Sequence, residues 1–224
     1  MEDNKNNNTN VHYDVGIYGW WGHENFGGCL TYFALNKVLN KMGFSVLMIQ
    51  EAKGLPGRYI IPDNCIAMTF AKKNYNCSIQ VDAKDLQMFN EICDSFVIGG
   101  DQVWNNNIPF VKEDCFLNFV DENKTKISYS SSFGATRHNP PKTYVDKIKP
   151  LLERFDAISV RENYAVDIAK NIYGVEAKQV IDAVFLLDKE DYIDASNDFD
   201  YVFPEKFLFA FILNPTVKKK EQIK

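Results

Sequence analysis

Between Tyr13 and Ile49 the chain passes from a short apolar run (YDVGIYG, Tyr13–Gly19) through a turn dense in glycine and aromatics (Trp20–Gly28) into a helical pattern. It then enters a second apolar run, FSVLMI (Phe44–Ile49). Leu30, Phe33, Ala34, Val38, Leu39 and Met42 recur at three- and four-residue spacing, which predicts a helix with one apolar stripe. Gly43 falls where a left-handed residue ends such a helix. Two strands joined through a helix within about forty residues read as a parallel pair with a right-handed crossover.

The remainder repeats the alternation. Ser95–Ile98, ending in Gly99-Gly100-Asp101, Ile127–Ser132, closed by Phe133-Gly134, and Ala157–Val160 read as strands. Pro140-Pro141 opens a helix to about Phe155, and Asn163–Tyr173 reads as another, stopped by Gly174. Gln179–Leu187 reads as a further apolar strand around Asp182. Residues 51–92 are broken by Gly54, Pro56, Gly57 and Pro62 and offer only a weak helix over Ala83–Ile92. The expected fold class is α/β, a Rossmann-like parallel sheet with helices on both faces. The expected domains are a disordered tail over 1–12, a Rossmann-like domain over 13–200, and an incomplete second domain or tail over 206–224. Phe207–Leu213 reads as that second domain's first buried strand.

With 224 residues, 46 % of them hydrophobic, the chain is long enough for a sizeable core. The net charge of −5 argues against a duplex-DNA binder, which needs a basic face. The polar, acidic start (MEDNKNNNTN) is unlike a signal peptide, and the longest apolar run is far below the ~20 residues of a membrane span. Cys29, Cys65, Cys77, Cys93 and Cys115 are odd in number and widely spaced, as are His12, His23 and His138. No metal site or disulfide framework is expected, and the expected location is cytoplasmic.

In an open α/β sheet, ligands bind outside the carboxyl ends of the strands. In the first loop, Gly22, Gly27 and Gly28 offer a backbone that can adopt positive φ and approach a ligand closely, against the alternative that they serve strand–helix packing only. The helix behind them aims free N–H groups at an anion. The loop matches neither the P-loop nor Gly-x-Gly-x-x-Gly, although Glu51 stands where a ribose-binding acid would. After the next strand, Asp101 can hydrogen-bond a sugar hydroxyl or accept its proton as general base, against the alternative of capping a turn, and Gln102 can face the same crevice. Trp104 offers a flat face for a pyranose, against the alternative of a core position. Arg161 can grip a phosphate or carboxylate, or pair with Glu162. Asp182, inside an apolar run, needs a partner and suits a loop cap, while His23 in the glycine loop is a weaker ligand candidate.

Several segments in this order resemble the polysaccharide pyruvyl transferase family. They are Asn25–Leu35 (NFGGCLTYFAL), Val97–Asn105 (VIGGDQVWN), Ile127–Gly134 (ISYSSSFG), Phe155–Glu162 (FDAISVRE) with Ala165–Lys170, and Val180–Asp188 (VIDAVFLLD). The resemblance covers nearly all of residues 13–188 and implies one half of a GT-B-like architecture, two Rossmann-like domains across a cleft. It implies transfer of pyruvate from phosphoenolpyruvate, as a ketal, onto a sugar of a cell-surface polysaccharide precursor, as in exopolysaccharide or capsule biosynthesis. No cofactor beyond that co-substrate is implied. Asn25, Gly27, Asp101, Gln102 and Trp104 match the acceptor-sugar surface, with Arg161 near the cleft. Phosphoenolpyruvate, a sugar or glycan acceptor, and a second half or second copy of the chain are the expected partners. Most donor-binding basic residues belong to a second domain of which the chain carries one expected strand. The expectation is therefore a retained fold without turnover in the absence of a complementing half. Two alternatives stand beside it: a sugar-nucleotide-dependent glycosyltransferase, and a non-catalytic carbohydrate-binding remnant.

Overall fold

The computed structural model describes residues 11–134, 136–196, 202–208 and 216–222. The chain divides into two compact units, Met1–Asp188 and Lys189–Lys224. In the first, seven strands form one parallel sheet: β1 (Tyr13–Gly19), β2 (Val46–Gln50), β3 (Asn76–Cys77), β4 (Cys93–Gly99), β5 (Thr125–Ser131), β6 (Ala157–Val160) and β7 (Lys178–Gln179). Their order is β3-β2-β1-β4-β5-β6-β7. The connections turn one way after β1 and the other way from β4, so the switch point lies between those two strands. Helices α1 (Phe26–Lys41), α2 (Ile66–Asn74), α3 (Lys142–Leu152) and α4 (Asn163–Ile168), the last continued by a π-helical turn over Ala169–Tyr173, stand beside the sheet among the described residues, with several 3-10 segments.

Burial shows why the strands were readable. Val15–Gly19 of β1 and all five residues of β2 are buried. Successive side chains of a strand point to opposite faces, so both faces of the sheet are covered. The fold class is as the alternation implied. The buried side of α1 differs from the expected stripe: Thr31, Tyr32, Phe33, Ala34, Leu35 and Asn36 are buried, whereas Leu30 and Met42 are exposed. Gly43 follows the helix at φ +95°, as its position implied.

Three expectations are corrected. The Gln179–Leu187 run is not a strand: β7 is only Lys178–Gln179, and Ala183–Leu186 forms a 3-10 turn capped by the Asp182 side chain, which accepts from the Val184 N–H at 3.1 Å. A carboxylate that accepts from the backbone two residues on starts a turn and interrupts strand pairing. The segment over residues 51–92 holds α2 and β3 as well as a 3-10 helix over Ala83–Glu91. Finally, Phe207 and Leu208 lie in no strand and are exposed, and the rest of Phe207–Leu213 lies outside the described residues. Positions 1–10 of the expected tail also lie outside them. In the second unit the described regular structure is α5 (Lys189–Ser196) and α6 (Val217–Glu221). Among the described residues no helix is long and apolar enough to cross a membrane.

His138 gives the unit a pH signature. It is 8 % exposed, its Nε2 lies 2.8 Å from the Tyr173 hydroxyl, and its ring packs on Phe133. Burial pushes its pKa from 6.5 down to about 4. The unfolded chain therefore binds a proton in this window that the folded chain refuses, and stability falls with falling pH. The contribution is complete above 6.5 and fades as pH drops toward 4, by about 3 kcal/mol from a shift of this size. Urea unfolding at pH 7 and pH 4 should show a steeper loss in the native chain than in His138→Gln. Equal losses would contradict a buried neutral imidazole.

Candidate functional site

The site is built where β1 and β4 part. β4 leaves the sheet through Gly99 and Gly100, at φ +148° and +77°. A Cβ on Gly99 would stand 1.9 Å from the Tyr129 carbonyl oxygen, and one on Gly100 would stand 2.4 Å from Thr31 Cγ2 of α1. Only glycine fits either place. The chain therefore turns tightly under the start of α1 and delivers Asp101 there.

The loop after β1 is held by its aromatics rather than by unusual glycine geometry. Trp21 is buried and donates its indole N–H to the Ile49 carbonyl at 3.0 Å. Gly22, Gly27 and Gly28 all have ordinary negative φ, which corrects the expected positive values. Gly22 makes room instead for Ile61, Gln50 and Met68. Asn25 caps α1, its Oδ1 accepting from the Gly27 N–H at 3.1 Å and the Gly28 N–H at 3.5 Å. Those donors are thereby engaged, and the helix start is less open to an anion than the sequence implied. A carboxylate is already near: a Cβ on Gly28 would lie 3.5 Å from Asp101 Oδ2. Asn25, Gly27, Gly28 and Asp101 thus meet, and the partial positive charge of the helix start faces Asp101.

Asp101 is also fixed from its own side. Its Oδ1 accepts from the Gln102 N–H at 2.7 Å, and its carbonyl accepts from the Ser132 N–H at 3.0 Å. Burial raises its pKa. The Gln102 N–H, Arg161 and His23 pull the other way, and Asp182 adds to the rise. The Gln102 side chain accepts from Asn105 Nδ2 at 2.9 Å and so braces the following turn.

Along the rim, Ser132 Oγ donates to Glu162 Oε1 at 2.8 Å, and Arg161 Nε donates to the same oxygen at 3.1 Å. Arg161 Nη1 donates to Asp182 Oδ2 at 3.0 Å, and Thr31 of α1 donates to Asp182 Oδ1 at 3.2 Å. Asp182 thus closes a circuit from β6 back to the helix that starts at β1. The guanidinium is engaged by two carboxylates. The rim carries Asp101, Glu162 and Asp182 against Arg161, an acidic surplus that disfavours a phosphate here.

Trp104 does not reach this rim. It is fully buried, donates its indole N–H to the Cys115 carbonyl at 2.9 Å, and stacks on Phe116 with ring centroids 5.8 Å apart and planes 6° from parallel. It also meets Phe133 and Phe155. The expected sugar platform is therefore a core residue, drawn inward because the turn after Gly100 folds back over β5, with the Trp104 N–H donating to the Ser132 carbonyl.

Sequence reasoning missed a second polar group beneath the first loop. Glu51, at the end of β2, is fully buried, with Oε1 2.5 Å from His23 Nε2 and Oε2 3.7 Å from Arg58 Nε. His23 Nδ1 lies 3.1 Å from the Tyr59 hydroxyl. Arg58 pairs through both terminal nitrogens with Asp114, which also accepts from Tyr18. Glu51 and His23 each stood out in the sequence, but Arg58 and Tyr59 lie in a stretch without periodicity. No local pattern signals contacts 56 residues apart.

The fold and rim define a Rossmann-like α/β domain with a cluster of acidic side chains around Arg161 beside its switch point. Residues 25–223 match the family model for polysaccharide pyruvyl transferase, and the chain belongs to that family. Among solved structures, it is similar to an α-glucosyltransferase in complex with UDP and a 13-mer DNA containing a HMU base. There the identity is 14 % and the TM-score 0.45, over 75 % of this chain and 42 % of that one. An α-glucosyltransferase in complex with UDP-glucose and DNA containing an abasic site gives 15 % and 0.43 over the same shares. The chain therefore spans less than half the length of these proteins. No curated protein matches it.

Truncating Trp104 tests its reassignment. Trp104→Ala should cost about 3–5 kcal/mol in urea unfolding, as for a large core aromatic. A cost near zero would return the ring to the surface.

Proposed function

We propose that this chain takes part in transferring the pyruvyl group of phosphoenolpyruvate onto a sugar of a polysaccharide, and that its first unit is the acceptor side. The observation that carries this reading is the placement of Asp101: a largely buried carboxylate over the start of α1, held by the Gln102 N–H and ringed by a polar rim. An acidic crevice suits an uncharged sugar, whose hydroxyls donate to carboxylates, better than it suits a phosphorylated donor. Asp101 then accepts the proton of the attacking hydroxyl, and its burial raises its basicity for that task. Asn25 and the backbone at Gly27 and Gly28 shape the wall opposite.

Arg161 takes a different part from the anion grip expected of it. With Asp182 and Glu162 on its guanidinium, it holds two rim carboxylates in place. The basic residues that hold phosphoenolpyruvate belong, in this reading, to a complementing half or a second copy. We read the protein as cytoplasmic, where phosphoenolpyruvate is available and the described free cysteines stay reduced.

Release of phosphate from phosphoenolpyruvate in the presence of candidate glycans tests the proposal, on the complete protein or on this chain with its complementing half. Asp101→Asn should lower kcat by about 10²–10⁴-fold while leaving the urea midpoint close to that of the native protein. Unchanged turnover would remove Asp101 from the chemistry. Glycan binding without any phosphate release would support a carbohydrate-binding remnant instead.

A further inference from the structure

His23 sits in the middle of three side chains that run from solvent into the protein. Tyr59 at the outer end is 55 % exposed, and Glu51 at the inner end is fully buried. When Glu51 is ionised it only accepts hydrogen bonds, and the proton at the 2.5 Å contact then belongs to His23 Nε2. Nδ1 is then the atom that faces the Tyr59 hydroxyl, 3.1 Å away. The ring is held against Phe110, with centroids 5.9 Å apart and planes 20° from parallel. His23 belongs to the Trp20–Gly28 turn, whose Gly28 end lies against Asp101, a Cβ there standing 3.5 Å from Asp101 Oδ2.

Glu51 is costly to keep. Its Oε2 has no hydrogen-bond partner among the described residues, and the nearest cation, Arg58, already pairs with Asp114. A buried carboxylate with one hydrogen-bonded oxygen loses hydration that this arrangement does not fully return. Glutamine would hold a loop histidine without that loss. What glutamine cannot do is stabilise an imidazolium.

We propose that Glu51, His23 and Tyr59 form a proton relay serving the crevice beside Asp101, with the Tyr59 hydroxyl as its outer end. The relay rests on the pyruvyl-transfer reading, because that chemistry moves two protons. Two acceptor hydroxyls form bonds to C2 of phosphoenolpyruvate, the bond from C2 to the phosphate oxygen breaks, and C3 changes from methylene to methyl. One proton must arrive at C3 and one leaves with the phosphate. Asp101 takes the proton of the first hydroxyl and passes it to the departing phosphate. Tyr59 gives its proton to C3 and takes the Nδ1 proton from the His23 imidazolium, which becomes neutral and keeps Nε2–H on Glu51. The proton of the second hydroxyl returns through Tyr59 and restores the imidazolium. No oxidant or reductant enters, and the sum is phosphoenolpyruvate plus a diol giving a ketal plus hydrogenphosphate.

Two measurements test the relay separately from the reading it rests on. In the turnover assay, Tyr59→Phe and Glu51→Gln should each lower kcat by about 100-fold, with KM for the glycan within twofold of native. Tyr59 is exposed, so its variant removes one oxygen without disturbing the core. If Tyr59→Phe turns over at the native rate while Asp101→Asn does not, the relay is overturned and pyruvyl transfer stands. If the native protein releases no phosphate with any glycan, the functional reading has failed, and the histidine itself decides the relay. Long-range proton–nitrogen spectra of the labelled chain should show neutral His23 as the Nε2–H tautomer, with resonances that move in Glu51→Gln. An Nδ1–H tautomer, or a spectrum indifferent to Glu51→Gln, overturns the relay.

Discussion

Helix α1 lies against the turn that leaves β4, and this contact sets the spacing of the whole rim. A Cβ at Gly100 would press into Thr31, and one at Gly99 would collide with the Tyr129 carbonyl. With both absent, the helix start and the strand end approach until Asp101 stands over Gly28 and Thr31 reaches Asp182. Through Asp182 the contact continues to Arg161, Glu162 and Ser132. A wider gap would break this circuit at Thr31, leaving the acid groups of β4, β6 and the Asp182 turn as separate surface features. The rim is thus a consequence of close backbone packing before it is a set of side chains.

Polar groups this near the core need compensation, and the structure supplies it unevenly. Asp114 is well served, by Arg58, Tyr18 and its neighbour's N–H. Arg161 gives Asp182 and Glu162 a shared cation. Glu51 and Glu162 each keep one buried oxygen without a hydrogen-bond partner among the described residues, and Glu51 faces the first loop through His23. Groups whose environment leaves them short of partners mark functional sites more often than well-served ion pairs do. The burial that raises Asp101's basicity is the same property that makes it a poor structural choice.

Much of the frame was legible in the sequence, for a physical reason. β1, β2 and most of β4 are covered on both faces, and such strands read as unbroken apolar runs. Gly99-Gly100-Asp101 was legible as a strand end because nothing but glycine tolerates that turn. The run around Asp182 misled, since apolar content alone does not separate a strand from a capped 3-10 turn. Trp104 misled in the opposite direction: its neighbours name a turn, but whether a turn residue faces out or in depends on Phe116, Phe133 and Phe155, which are distant in sequence. The stretch from Lys53 to Pro62 was unreadable because its order comes from Arg58 and Tyr59 reaching Asp114, Phe110 and His23. Contacts of that kind leave no period.

Crystals soaked with an acceptor glycan offer the most direct view of the switch-point crevice. The glycan should be ordered between the Trp20–Gly28 turn and Asp101, with a sugar hydroxyl within hydrogen-bond distance of the Asp101 carboxylate. A glycan ordered elsewhere on this unit, with Asp101 untouched and the crevice filled only by solvent, would contradict an acceptor site there.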